Sequence, residues 1–290
     1  MIKERNTNIL IVTTLILIGI GIIMVYSASS IFAQKRLGDS FYFLKKQAIF
    51  SLLGIFLMSG AMKIKAKIYK NPYLVYFLLA LSFFLLILLL VPGIGYRKGG
   101  SMRWFRLGPL SFQPSEFSKL SLVIFLSYFL AKYKDEIKTF TKGFLIPFLV
   151  TGLLFLLILR QPDFGSGILL MSIMTMMLFV SGTRMRYLLS LIVILGVIFS
   201  GLVMLVPYRL QRFIAFLDPW KDPKGVGFQI IQSTLAFASG GLWGRGLGNG
   251  MQKLFYLPEP HTDFILSVIG EEWGLLGLSL VIFLFLILIV

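Results

Sequence analysis

The sequence predicts an all-α polytopic membrane protein. Of its 290 residues 57% are hydrophobic and only 14% are charged, against about 25% charged in an average soluble domain. Mean hydropathy is +0.89, more apolar surface than one soluble core of this length can hide. The apolar residues also gather in continuous runs long enough to cross a bilayer. No soluble domain and no low-complexity linker interrupts them, so residues 1–290 read as a single integral membrane domain.

About eight transmembrane helices are expected, over 8–29, 47–62, 73–92, 116–132, 143–159, 167–182, 187–206 and 264–290. The first run is longer than the apolar core of a secretory signal peptide, and Tyr26-Ser27-Ala28-Ser29-Ser30 after it is a poor cleavage site. It is read as a retained helix. A long extracytoplasmic loop, 207–263, precedes the last helix.

Orientation follows from Lys and Arg in the short connections. One set holds Lys3, Arg5, Lys63, Lys65, Lys67, Lys70, Lys132, Lys134, Lys138, Lys142, Arg184 and Arg186. That face reads as cytoplasmic, with the N-terminus inside. The other face, segments 30–46, 93–115, 160–166 and 207–263, still carries 15 cations. Among them are Arg97, Lys98, Arg103, Arg106, Arg160, Arg209, Arg212, Arg245 and Lys253. Topology does not require them there. They are either solvated and lipid-headgroup charges or a site for an anionic ligand at the outer surface. Cysteine is absent and His261 is the only histidine. Disulfides, thiolate chemistry and a multi-histidine metal site are therefore excluded.

Four outer segments carry chemistry-bearing residues. In the first, Gly99 to Pro109 includes Arg103, Trp104 and Arg106, and Gln113-Pro114-Ser115-Glu116 leads to Lys119. Gly and Pro make this a tight turn. Ser115 suits an N-cap, and Glu116 then falls in the first turn, one face with Lys119. A lysine at that depth pairs or faces a wet cavity. The pair serves either to orient helices or to line a ligand cavity. The second segment is Arg160-Gln161-Pro162-Asp163-Phe164-Gly165-Ser166-Gly167. Its Asp163 either caps the sixth helix or points into an outer cavity. The third holds Arg209, Arg212, the amphipathic stretch 228–238, and six glycines within 240–250. Those glycines form either a mobile linker or a backbone cradle for phosphate. The nucleotide-binding pattern G-x-x-x-x-G-K-[ST] is absent. The fourth runs Pro258-Glu259-Pro260-His261-Thr262-Asp263-Phe264 to Gly270-Glu271-Glu272-Trp273-Gly274. Thr262 or Asp263 suits an N-cap of the last helix. Glu271 and Glu272, about 100° apart on a helix, call for separate partners.

Together YSASS, GGSMRWFRLGPLSFQPSEFSK, RQPDFGSG, RLQRFIAFLDPWKDPKGVGFQIIQS, GGLWGRGLGNGMQKLFYLPEPHTDF and VIGEEWG resemble the SEDS family (shape, elongation, division and sporulation), the FtsW and RodA proteins of bacterial walls. The YLPEPHTDF…GEE form looks most like the FtsW/SpoVE branch. The resemblance implies a fold usually of ten membrane helices, two more than this chain offers. It implies a bacterial cytoplasmic-membrane glycosyltransferase that polymerises lipid II at the outer face. The implied partners are a class B penicillin-binding protein and other divisome or elongasome membrane proteins; no nucleic-acid partner is expected. It carries the catalytic carboxylate onto Asp263 and cavity roles onto Glu116 and Lys119. Arg103, Trp104, Gln113, Asp163, Arg209, Arg212, Arg245, His261 and Thr262 complete the expected substrate-binding set.

On that reading Asp263 takes the proton of the acceptor sugar hydroxyl, and the outer arginines hold the departing pyrophosphate. One direct displacement inverts the anomeric centre. No cofactor is required, although Asp163 or Glu116 could share a divalent cation, magnesium or manganese. The rival readings are a lipid II flippase and a scaffold of the wall-synthesis complex. The outer clustering of functional groups argues against the first, and charges buried in the membrane argue against the second.

Overall fold

The computed structural model describes residues 2–98, 101–108, 110–254, 256–257 and 260–289. Gly99, Gly100, Pro109, Phe255, Pro258, Glu259 and Val290 lie outside the described residues, as do the side chains of Lys3, Arg5, Arg97, Lys98, Ser101, Leu107, Leu110 and Tyr208.

Each of the eight apolar runs forms a helix: α1 (Ile2–Leu37), α2 (Tyr42–Met62), α3 (Pro72–Leu88), α4 (Pro114–Lys132), α5 (Ile146–Arg160), α6 (Phe164–Ser181), α7 (Met185–Met204) and α10 (Ile265–Ile289). Among the described residues six of these are long and apolar enough to cross a membrane, α5 when taken together with the π-helical turn before it as Thr141–Arg160. The other two are α3, with 17 residues, and α4, which carries Glu116, Lys119 and Lys132. The segment expected as a long outer loop folds further, into α8 (Pro207–Leu217) and α9 (Phe228–Gly240). The 228–238 stretch folds because its apolar face packs against α10. A small antiparallel sheet, β1 (Tyr96–Lys98), β2 (Ser101–Leu107) and β3 (Leu110–Phe112), is added to the helical frame.

The chain divides into two compact units, Met1–Lys63 with Gly201–Val290, and Ile64–Ser200. In the second unit α3 packs on α4, α5 on α6 and α4 on α6. Its core includes Val75, Leu86, Leu122, Leu126, Leu154, Ile158, Leu170 and Met174. Gly167 lets α6 close on α5, since a Cβ there would lie 2.9 Å from the Phe155 ring. Asn71 caps α3 by accepting from the Tyr73 N–H at 3.0 Å, with Pro72 at the first helical position. Gly182, at φ 84°, ends α6.

In the first unit α1 packs on α2 and α10, and α9 on α10. Met24, Ala28, Val268, Ile269 and Val281 form a shared core. The first helix is thus part of the fold.

Candidate active site

The last helix is broken, and the glycine-rich loop mends the break. Gly274 has φ 67° and ψ −163°, far from helical values. A continuous helix would send the N–H groups of Leu275 and Leu276 to the carbonyls of Glu271 and Glu272. Instead Leu275 N–H donates to Gly241 O at 2.9 Å and Leu276 N–H to Leu242 O at 3.3 Å. The two freed carbonyls accept from Arg245 N–H at 2.9 Å and Gly246 N–H at 3.0 Å. These four backbone groups at the break are thereby paired, as a segment away from water demands. The glycines are needed for closeness: a Cβ at Gly244 would overlap the Glu272 carbonyl, and one at Gly240 the Gly270 carbonyl. The N–H groups of Arg245, Gly246 and Gly248 serve α10 and are not free to cradle a phosphate, and these bonds fasten the loop to the helix.

Glu271 and Glu272, 0% and 1% exposed, have separate partners. The Glu272 carboxylate accepts from Lys253 Nζ at 2.6 Å, from Ser27 Oγ at 2.8 Å and from Gly248 N–H at 3.0 Å. The Ser27 hydroxyl in turn accepts from Lys253 Nζ at 3.0 Å. Glu271 accepts from Met251 N–H at 2.8 Å and Gln252 N–H at 3.1 Å, with Arg245 Nη1 at 3.8 Å. Two of the cations expected on the outer face, Lys253 and Arg245, therefore neutralise buried carboxylates. Ser27 was not among the expected site residues. Its signal was the polar YSASS cluster closing an apolar run.

The turn 260–264 follows. His261 is half-buried between the rings of Phe43, 4.2 Å away, and Phe32, 6.0 Å away. Thr262 and Asp263 are exposed. Among the described residues Asp263 has no hydrogen-bond or ion-pair partner; it does not cap α10, which starts at Ile265. On α8, Arg209 donates to Leu202 O at 3.1 Å, one of the last carbonyls of α7. Arg212 is exposed.

In the other unit, three expected residues converge. Asp163 caps α6 by accepting from Ser166 N–H at 3.2 Å and also accepts from Gln113 Nε2 at 3.1 Å. Arg103 Nη1 lies 3.7 Å from it, while Arg103 also donates to the Gln161 and Pro162 carbonyls. Gln161 continues inward to Leu86 O at 3.1 Å. Arg103 thus fastens β2 to the α5–α6 turn, and Asp163 is a buried cap. Trp104 stands apart, half-buried and paired across the sheet with Tyr96.

Two expectations at α4 change. Ser115 is not its cap: α4 starts at Pro114, Gln113 holds the cap position, and Ser115 Oγ is buried, accepting from Gln113 Nε2 at 2.8 Å. Glu116 and Lys119 do pair, at 2.8 Å, but the Glu116 side chain is 59% exposed. The i,i+3 pair is open on its Glu116 side only, the Lys119 side chain being 18% exposed. Asp163 and Glu116, considered for a shared divalent cation, each have a side-chain cation nearby, Arg103 at 3.7 Å and Lys119 at 2.8 Å. No cluster of three or more His, Asp or Glu able to hold a metal forms among the described residues.

Residues 7–290 match the family described as FtsW/RodA/SpoVE cell cycle protein. The chain belongs to this family. It is 45% identical to a probable peptidoglycan glycosyltransferase FtsW of Geobacter sulfurreducens, over 99% of this chain and 76% of that one. It is 42% identical to stage V sporulation protein E of Bacillus subtilis, over 99% and 78%. Among solved structures it resembles one described as structural coordination of polymerization and crosslinking by a peptidoglycan synthase complex. That match has a TM-score of 0.72 and 30% identity, over 96% of this chain and 74% of that one. The rod shape determining protein RodA of Thermus thermophilus shares the fold, with a TM-score of 0.61 and 24% identity over 96% and 71%. The names FtsW and stage V sporulation protein E are those of the branch that the YLPEPHTDF…GEE form suggested.

Within this FtsW/RodA/SpoVE chain the family motifs divide by physical role. GGLWGRGLGNG and GEEWG form one closed structural unit around the α10 break. PHTD is left at its edge with its carboxylate open.

Proposed function

We propose that this membrane protein is a peptidoglycan glycosyltransferase that polymerises lipid II at the outer face of the bacterial cytoplasmic membrane. The observation that carries the reading is Asp263. Asp163, Glu271 and Glu272 are buried and engaged, whereas Asp263 is exposed and, among the described residues, without a hydrogen-bond or ion-pair partner. Its carboxylate is suited to accept the proton of the acceptor sugar's 4-hydroxyl.

As that proton leaves, the oxygen attacks the anomeric carbon of the donor and the bond to the polyprenyl pyrophosphate breaks. The anomeric centre inverts in one displacement. Pyrophosphate departs as a stable anion, so cations matter more than a strong acid. Arg212 is the exposed arginine of α8 offered for that role. Glu116 and Lys119 of α4 keep the substrate-contacting role that the family resemblance implies for them. Magnesium or manganese on the pyrophosphate would add positive charge there. A class B penicillin-binding protein is the proposed partner, crosslinking the strands made.

The test is polymerisation of purified lipid II by the purified protein, with and without its cognate penicillin-binding protein. Glycan strands are expected. Absence of polymer with the partner present, alongside movement of lipid II across vesicle membranes, would replace this reading with the flippase.

A further inference from the structure

The side of α4 turned away from its neighbours carries a groove of about 620 Å³, separate from every residue discussed for catalysis. Leu120, Val123, Ile124, Ser127, Tyr128 and Ala131 line it on α4, at the i, i+3, i+4, i+7, i+8 and i+11 spacing of one helix face. The opposite stripe, Ser121, Leu122, Phe125, Leu126, Phe129 and Leu130, is buried in the unit. The groove is polarised. Its walls are apolar along the helix, and at one end it meets Tyr69 and Lys70, beside Lys132 on α4.

Neither lysine has a carboxylate partner among the described residues, while the neighbouring Lys142 is bonded to Glu136 at 2.6 Å. Asp135 is the other acid of that end and is exposed. The Lys132 ammonium lies 5.8 Å from the Tyr128 ring and 5.4 Å from the Tyr133 ring. From Lys132 to Leu120 the helix rises about 18 Å, close to the roughly 15 Å depth of one leaflet's hydrocarbon. A cationic end and an apolar trough one leaflet deep match a phosphate headgroup and its acyl chain.

We propose that this groove holds one anionic glycerophospholipid, its phosphate between Lys70 and Lys132 and an acyl chain along the Leu120–Ala131 stripe. Assigning it to the cytoplasmic leaflet rests on the orientation adopted above; the site itself does not. A zwitterionic lipid fits the trough equally well but gains less at the lysines, so the site discriminates by headgroup charge.

The test is native mass spectrometry of the purified protein in detergent, incubated with phosphatidylglycerol or phosphatidylcholine. One phosphatidylglycerol should be retained with a preference of roughly thirtyfold, the combined effect of two interfacial lysines. Lys70→Gln with Lys132→Gln should bring the preference close to unity, and Val123→Trp, which fills the trough, should reduce retention of both lipids. Circular dichroism and thermal unfolding in detergent confirm that each variant is folded. Equal retention of the two lipids by the parent, or an unchanged preference in the double variant, overturns the proposal. So does displacement of phosphatidylglycerol by equimolar undecaprenyl pyrophosphate, which would make the groove a substrate site. A protein that binds phosphatidylglycerol through these lysines yet makes no polymer keeps this site and loses the enzymatic reading.

Discussion

Lys253 Nζ lies 2.6 Å from Glu272 Oε1, with the two side chains 4% and 0% exposed. Ser27 of α1 bonds to both. This one contact ties three distant stretches of sequence together at the broken part of α10. It also removes Lys253 from the cations available to a ligand.

Removing one member of such a pair is costlier than removing both. Lys253→Met leaves the Glu272 carboxylate uncompensated, at a cost of about 3–5 kcal/mol. The double variant Lys253→Met with Glu272→Gln keeps the hydrogen bonds of Ser27 and Gly248 without a stranded charge. It should recover most of the loss. Thermal unfolding in detergent reads the difference; equal melting points for single and double variants would show that the pair is not coupled.

The loop glycines should fall into ranks. Gly244→Ala drives a Cβ into the Glu272 carbonyl and should detach the loop from α10, abolishing folding or activity. Gly248→Ala meets nothing within 4 Å but sits at φ 84°, a strain of about 1–2 kcal/mol. Gly152→Ala, inside α5 with open space around it, should be neutral or stabilising by up to about 1 kcal/mol. A melting series that does not follow this order would contradict the loop's role as a backbone splice.

Much of this was legible in the sequence. The apolar runs placed the eight long helices, and the helical angle between Glu271 and Glu272 foretold separate partners. The α10 break was not legible, because Gly274 within an apolar run looks like any small residue of a membrane helix. Its meaning appears only when Gly241 and Leu242 supply the missing acceptors. The burial of Lys253 was hidden for a similar reason. Its carboxylate partner lies 19 residues away and its second partner, Ser27, 226 residues away. Conversely, Lys119 was expected to need a partner at its depth and has one in Glu116, but how far the first turn of α4 leaves that carboxylate exposed, 59%, was not legible.

That difference changes what Lys119→Ala should do. With Glu116 59% exposed, loss of the pair should cost no more than about 1 kcal/mol. A near-parental melting point together with lost polymerisation would therefore report contact with substrate. A loss of several kcal/mol would return the pair to a structural role.

Orientation is open to a direct measurement, since the chain has no native cysteine. Ser233 is a poor reporter, its hydroxyl held 2.7 Å from Ser267 Oγ against α10. Lys221 and Lys67 are exposed. On intact cells an impermeant maleimide should label Lys221→Cys but reach Lys67→Cys only after lysis. The reverse pattern would invert the topology.

The enzymatic reading turns on Asp263. Its carboxylate is exposed and has no partner among the described residues, so it contributes little to the fold. Asp263→Asn should shift stability by no more than about 0.5 kcal/mol. The substitution keeps size and polarity but removes the ionisable acceptor, and loss of a general base costs about 10²–10⁴ in rate. The variant should therefore melt with the parent, bind lipid II and its penicillin-binding protein as the parent does, and make no detectable glycan in a purified assay. A flippase would lose nothing measurable there, since its substrate is already accessible. Polymerisation by Asp263→Asn at the parental rate would remove Asp263 from the mechanism. A variant that fails to fold would instead mean that the turn 260–264 depends on this carboxylate.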